Sequence, residues 1–180
     1  SNKNSLNALP KSEKILDVVE GKNFFQDSRT IQQYFIKDSN LGIIDIAVSF
    51  PTPIPDHPLP VLFILGGLET GFESIRHVSD IGNNILVGYN WPIASKLPKG
   101  LNILLKSPSI YRGIYNSPGQ VAAALEWITK QPWAEKKRIS LLGFSVGAIV
   151  VPAVQHIIES RGLATIGWTV LAYGGTNIGQ

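Results

Sequence analysis

The chain has 180 residues, of which 44% are hydrophobic and 16% are charged, and its formal net charge is +3. This composition excludes a disordered chain and predicts one globular domain around a single hydrophobic core. The absence of cysteine excludes disulfides, thiolate catalysis and cysteine metal sites, and we expect no cofactor and no metal. The basic residues are scattered, which argues against a nucleic-acid partner, and no apolar stretch is long enough to predict a transmembrane segment.

Residues 1–28 are polar and mixed apart from a short run at Ile15–Val19, and we predict that they form an arm or a short helix with no assigned function. The chain contains no methionine, so we expect that a segment before residue 1 has been removed. A cleaved signal peptide and a trimmed chain would each explain this. We favour an exported or periplasmic protein over a cytoplasmic one, although the sequence leaves the compartment open.

Two predicted strands, Thr30–Lys37 and Ile43–Phe50, follow the arm and form a hairpin. The residues between them, from Asp38 to Gly42, are turn formers. In the second strand apolar residues recur at every second position, which is typical of an antiparallel strand with one buried side. The segment from Pro51 to Pro60 contains five prolines and predicts an irregular surface connection.

Short apolar strands are predicted at Val61–Leu65 and Asn84–Tyr89, because continuous apolar runs of this length suit strands that are buried on both faces. Between them, the glycine-rich segment Gly66–Gly71 predicts a loop that leads into a helix ending at Asp80. The stretch Leu101–Lys106 is readable as either helix or strand.

A helix is predicted to begin at Ser117, with serine as N-cap and proline at the first helical position, and to end before Pro132. A strand at Arg138–Leu142, a helix from Val146 to Arg161 and a final buried strand at Thr165–Tyr173 complete the chain. The order of elements predicts an α/β fold. We expect a mostly parallel sheet with an N-terminal antiparallel hairpin and helices on both faces.

The segment Leu141–Ala148 carries the strongest chemical signal, because it contains Gly-Phe-Ser-Val-Gly between an apolar run and a helix. This Gly-x-Ser-x-Gly arrangement is typical of a nucleophile elbow, a sharp strand-to-helix turn that presents one serine hydroxyl. Ser145 is therefore the candidate nucleophile. The Val146 N–H lies at the helix N-terminus and is the first candidate donor to an oxyanion.

The second oxyanion donor is expected in the loop after the Val61–Leu65 strand. There the Leu68 N–H is our candidate, with Gly67 as the neighbour that could replace it. Together the hairpin, this loop and the Ser145 turn resemble the α/β-hydrolase superfamily, in particular its serine esterases and lipases. The resemblance covers roughly residues 30–175 and implies the same roles for Ser145, Val146 and Leu68. Many members have histidine where this chain has Gly66.

The resemblance also implies a triad in which an acid and then a histidine follow the serine along the chain. This sequence contains neither segment. The histidines and acids that are present lie too far along their elements or at the wrong end of the sheet; they are His57, His77, His156, Glu69, Glu73 and Asp80. We therefore predict that residues 29–180 are a partial α/β-hydrolase domain without its C-terminal strands. The acid and the histidine would come from a missing C-terminal segment, or from a C-terminal fragment of the same gene product.

Substrate signals are few. Tyr89 and Trp91 lie at the carboxyl end of a predicted strand, where ligands bind in open α/β sheets, so they are candidate substrate contacts, although an aromatic residue at a strand end more often fills the core. A small apolar ester is the expected substrate, and thioesters, amides and peptides stay open. The alternative function is a non-catalytic binding module that retains the fold. A nucleotide-binding domain is excluded, because Gly66–Gly71 lacks both the dinucleotide and the P-loop pattern.

Overall fold

The structure, a computed structural model, describes residues 2–67, 71–78, 82–93 and 108–172. Predictions at Leu68, Glu69, Asp80 and Leu101–Lys106 lie outside these residues. The strands are β1 (Ile15–Gln26), β2 (Arg29–Asp38), β3 (Gly42–Pro51), β4 (Leu59–Leu65), β5 (Ile85–Asn90), β6 (Ala134–Phe144) and β7 (Ile166–Ala172). The helices are α1 (Asn2–Asn7), a 3-10 helix (Gly71–Val78), α2 (Pro108–Thr129) and α3 (Val146–Arg161). Within the described ranges, no helix is long and apolar enough to cross a membrane.

These seven strands form one mixed sheet in the order β1-β2-β3-β5-β4-β6-β7. The strands β5, β4, β6 and β7 pair in parallel, while β1, β2 and β3 continue the sheet in antiparallel fashion from β5. The predicted α/β class and the antiparallel hairpin are confirmed. The carboxyl ends of β4, β5, β6 and β7 consequently lie along one edge of the sheet, which we call the carboxyl edge.

Residues 1–28 contain the short helix α1, as one of the two predictions for this segment has it, and also a strand that the sequence does not predict. Residues Ile15–Gln26 form β1, which pairs antiparallel with β2 from Ile15 opposite Asp38 to Gln26 opposite Arg29. Asp27 and Ser28, both at positive φ, make the two-residue turn between these strands. The strand lacks a buried face over most of its length, so it carries no apolar alternation that would reveal it in the sequence.

The core lies on both faces of the sheet because alternate residues of each buried strand point in opposite directions. In β4, Val61, Phe63 and Leu65 pack against the core shared with α2 and α3. The intervening residues Leu62 and Ile64 belong to a second core that includes side chains of the 3-10 helix. Helical elements therefore cover both faces, as the sequence predicts.

Helix α2 begins at Pro108, so the prediction that Ser117 is its N-cap is wrong. Pro118 lies inside the helix and has no N–H to donate to the carbonyl of Ile114, four residues earlier. The Ser117 hydroxyl donates to that same carbonyl at 2.7 Å. The hydroxyl of Ser117 thus replaces the helical N–H donor that Pro118 lacks. The Ser-Pro pair looks like a helix start in the sequence, but in the structure it lies within α2.

Strand β7 lies at the edge of the described sheet, so the prediction of a buried final strand is also wrong for Ile166–Ala172. Three of its apolar side chains are exposed, namely Trp168, Val170 and Leu171. On its other side, β7 pairs with β6 along most of its length. The predicted helix after β6 is confirmed: α3 runs from Val146 to Arg161, and Gly162 follows in the left-handed conformation of a helix C-terminus.

Candidate active site

Ser145 connects the end of β6 to the start of α3 and has a backbone conformation that side chains rarely adopt. Its φ is 53° and its ψ is −120°. The residue is exposed, and its side chain makes no hydrogen bond to cap the helix. A strained, positive-φ residue between a strand and a helix turns its side chain out of the sheet edge, as the Gly-x-Ser-x-Gly motif predicts.

The two glycines of the motif are required by close packing. A Cβ on Gly143 would lie 2.9 Å from the backbone of Ala148 in the first turn of α3. A Cβ on Gly147 would overlap the carbonyl group of Leu65 at the end of β4. The helix can therefore begin directly against β4 and β6 only because both positions lack a side chain.

Backbone hydrogen bonds hold the turn from two sides. The Ser145 N–H donates to the Ala172 carbonyl at 2.9 Å, which extends the pairing of β6 with β7 up to the serine. On the helix side, the Ser145 carbonyl accepts from the N–H of Ala148 at 3.0 Å. The backbone of Ser145, and with it the direction of its Cα–Cβ bond, is thus held by hydrogen bonds to β7 and α3.

Two of the predicted oxyanion residues lie beside Ser145. Val146 is the first residue of α3, where backbone N–H groups have no acceptor within the helix. Gly67 follows β4, and a Cβ placed on it would be 4.0 Å from the Cβ of Ser145. Leu68, the preferred second donor, lies outside the described residues. The structure therefore brings Ser145, Val146 and Gly67 together at the carboxyl edge.

The predicted substrate contacts, Tyr89 and Trp91, are both buried in the core shared with α2 and α3. The Tyr89 hydroxyl donates to Gln120 Oε1 at 2.6 Å. Burial, and to a lesser extent the charge of Asp45, raises the pKa of Tyr89. Their placement favours the core-packing alternative. Trp91 reaches the site indirectly, since its indole Nε1–H donates to the carbonyl of Gly66 at 3.2 Å.

The histidines with described side chains are engaged elsewhere. His156 lies on α3 and its Nε2 is 2.8 Å from Asn7 Oδ1. His57 precedes β4 at the opposite edge of the sheet and pairs with Asp56 at 3.3 Å. The side chain of His77 lies outside the described part. Among the described residues, no group of three His, Cys, Asp or Glu side chains is placed to hold a metal ion.

Two cavities flank β7, and neither is lined by Ser145. One, of about 320 Å³, lies at the amino ends of the parallel strands and is lined by residues that include Pro60, Asn84, Ser140 and Trp168. The other, of about 510 Å³, lies between α3 and β7 and is lined in part by Gln155. The residues that line both cavities lie away from the turn at Ser145, so neither cavity is a candidate cleft for a substrate of Ser145.

No known protein-family profile and no curated protein sequence matches this chain. Solved structures do match. A Bacteroides fragilis protein provisionally assigned as an acetyl xylan esterase superposes with a TM-score of 0.63 at 15% identity, over 87% of this chain and 48% of that one. Vibralactone cyclase gives a TM-score of 0.58 at 16% identity, over 83% and 43% of the two chains. An esterase of Rhizomucor miehei gives 0.51 at 21% identity, over 94% and 47%.

The chain therefore has the α/β-hydrolase fold, and its sheet order and strand-to-helix turn at Ser145 agree with that assignment. It spans about half the length of the structures that it matches. At these identities the similarity establishes the fold, and the chemistry must be argued from the site.

Proposed function

We propose that the chain carries the nucleophile of a serine hydrolase that cleaves small carboxylic esters. The observation that supports this most directly is Ser145 itself. Its side chain is exposed, lies at the amino end of a 16-residue helix and faces the glycine loop after β4. Esterases are prominent among the proteins that share the fold, which favours esters over other acyl compounds as the first substrates to test.

In the proposed reaction, Ser145 Oγ attacks the ester carbonyl carbon while a histidine accepts the hydroxyl proton. The Val146 N–H, with that of Leu68 or Gly67, stabilises the oxyanion that forms on the carbonyl oxygen. When the C–O bond breaks, the alcohol takes the proton from the histidine and leaves an acyl-enzyme. Water then adds to the acyl carbon, the acid is released and the serine regains its proton.

The histidine of this mechanism, and the acidic residue that completes the triad, are proposed to come from a C-terminal segment. This segment is either continuous with this chain or a separate fragment of the same gene product. The exposed apolar side chains along β7 support this, because an edge strand of this composition is usually paired or covered. The chain also spans only about half of its structural relatives.

The alternative is a non-catalytic binding module that retains the fold. The observation that favours it is the engagement of His156 and His57 away from the serine. Without a base, the Ser145 hydroxyl keeps the low reactivity of an ordinary alcohol.

The two functions differ in the reactivity of Ser145 towards a fluorophosphonate probe, read as intact mass under denaturing conditions. A hydrolase is expected to gain the mass of one probe, to lose this adduct in Ser145→Ala and to keep it in Ser160→Ala, a control that removes a serine from the far end of α3. A second species in the same spectrum would identify the fragment that supplies the base. Because the base is proposed to lie in a C-terminal segment, the probe is applied to the whole gene product, and absence of an adduct from it would refute the hydrolase and favour the binding module.

A further inference from the structure

Asn90 and Trp91 are consecutive residues at the carboxyl end of β5, and their side chains lie on opposite faces of the sheet. Trp91 packs in the core under α2 and α3, with its ring centroid 5.3 Å from that of Tyr89. Asn90 faces the 3-10 helix, whose first residue is Gly71. Asn90, the last residue of β5, and Trp91, which follows it, thus reach Gly71 and Gly66 respectively.

Trp91 is hydrogen-bonded to Gly66, close to Ser145. Its side chain is only 4% exposed, and a buried indole N–H is costly unless it finds an acceptor. That acceptor is the carbonyl of Gly66, which directly precedes Gly67, the residue that lies against Ser145. The hydrogen bond therefore joins the backbone next to the serine to a rigid aromatic side chain in the core.

Asn90 contacts Gly71, the first residue of the 3-10 helix. Its Nδ2 donates to Asp45 Oδ2 at 3.0 Å, and Asp45 Oδ1 accepts from Gln33 at 2.9 Å. Because a carboxylate only accepts, this pairing fixes the orientation of the amide and directs Asn90 Oδ1 towards Gly71. A Cβ on Gly71 would lie 2.5 Å from Asn90 Oδ1, and Gly71 has a φ of +46°. Only a glycine can approach the amide this closely in that conformation.

We propose that Trp91 and Asn90 are positioning residues that anchor Gly66 and Gly71 respectively, and that Trp91 thereby keeps Gly67 in place beside Ser145. The catalytic consequence rests on the proposed hydrolase function. An oxyanion donor contributes only when it is pre-set near the reacting oxygen, so loss of the Trp91 hydrogen bond affects the chemical step rather than probe binding.

The test compares Trp91→Phe with Trp133→Phe. Phenylalanine at 91 keeps an aromatic ring against Tyr89 and removes the indole N–H together with the second ring of the indole, so Trp133→Phe controls for the lost volume. Trp133 is a partly buried tryptophan of the same core that contacts Phe50 at the opposite edge of the sheet. Two measurements are made on each variant: backbone hydrogen exchange at Gly66 and Gly67, and the maximal rate and half-saturation concentration of fluorophosphonate labelling.

We expect hydrogen exchange at Gly66 and Gly67 to accelerate about 10-fold in Trp91→Phe and to stay at the wild-type rate in Trp133→Phe, which corresponds to loss of one hydrogen bond. The maximal labelling rate should fall by about 10-fold or more in Trp91→Phe with the half-saturation concentration unchanged. If the wild-type whole gene product does not label, the hydrolase proposal fails and the exchange measurement still decides the anchoring role. Wild-type exchange in Trp91→Phe would overturn it.

Should Trp91→Phe fail to fold, Asn90→Ala provides the second test at the other anchor. Hydrogen exchange at the backbone N–H of Gly71 is expected to accelerate in that variant, because the Asn90 side chain that packs against Gly71 is gone. An unchanged rate at Gly71 would overturn the two-anchor arrangement.

Discussion

The contact between Gly147 and Leu65 gives a sharp test of how closely the serine turn is packed. In Gly147→Ala, the new Cβ would lie 2.6 Å from the Leu65 carbonyl carbon and 2.9 Å from Leu65 Cβ, and closer still to the carbonyl oxygen. Carbon atoms pack at about 3.5–4.0 Å, so α3 must move by about 1 Å away from β4. Backbone lies on both sides of this contact, and no rotamer change can relieve it.

Overpacking of this kind costs about 1–3 kcal/mol, and we expect the upper end, about 3 kcal/mol, because backbone has to move. For a chain of this size each kcal/mol lowers the melting temperature by about 2–4 °C, so a decrease of about 6–12 °C is expected. Urea and thermal unfolding followed by circular dichroism measure both quantities.

The matched control is Gly67→Ala. Among the described residues its Cβ would meet nothing nearer than the Cβ of Ser145 at 4.0 Å, an ordinary contact, and the free energy of unfolding of this variant should stay within about 0.5 kcal/mol of the wild type. If Gly147→Ala loses no more stability than Gly67→Ala, α3 does not begin against β4 as described, and the argument from the glycines of the motif is refuted.

Two further substitutions probe the elements that carry the site. Ser117→Ala leaves the Ile114 carbonyl beside Pro118 without a donor and should lower the free energy of unfolding by about 1–2 kcal/mol in urea denaturation. Burial, followed by the charge of Asp45, raises the pKa of Tyr89, so the unfolded state ionises first. Stability from this group is full below about pH 10 and is lost as the pH rises towards the folded-state pKa; Tyr89→Phe should reduce that loss in urea titrations from about pH 8 to about pH 11.

Each of these has a control in the same chain. Ser160 donates to the Ile157 carbonyl at 3.2 Å within α3, with no proline four residues after that carbonyl, so Ser160→Ala should cost less than Ser117→Ala; equal losses would contradict the role given to Ser117. Burial and the charge of Glu20 also raise the pKa of Tyr34, so some alkaline destabilisation should remain in Tyr89→Phe. A wild-type alkaline slope in that variant would contradict the burial of an un-ionised Tyr89.

Features that leave a short pattern of their own could be predicted from the sequence. The turn at Ser145 is visible as glycines two residues before and after the serine, and the structure explains them by close contacts with Ala148 and Leu65. The bounds of α3 were equally accessible, because Gly162 supplies the left-handed residue that ends the helix. The central strands were visible as short apolar runs, since they are buried on both faces.

Features set by tertiary contacts could not. Ser117 and Pro118 have the composition of a helix start, and only the preceding turn of α2 shows that the serine hydroxyl points backwards to Ile114. Strand β1 has little buried surface, so its pairing with β2 leaves no apolar period. The strand-end position of Trp91 is compatible with substrate contact and with core packing, and only the structure shows that its indole N–H donates to the carbonyl of Gly66.

The left-handed backbone at Ser145 has a consequence for efforts to make this protein more heat-resistant. A residue with a Cβ in this region costs about 1–2 kcal/mol relative to glycine. Selection for thermal tolerance alone would therefore favour glycine at position 145 and remove the hydroxyl. The substitution that relieves the strain is therefore the one that removes the candidate nucleophile, so any screen for stabilised variants has to score the proposed activity in the same round.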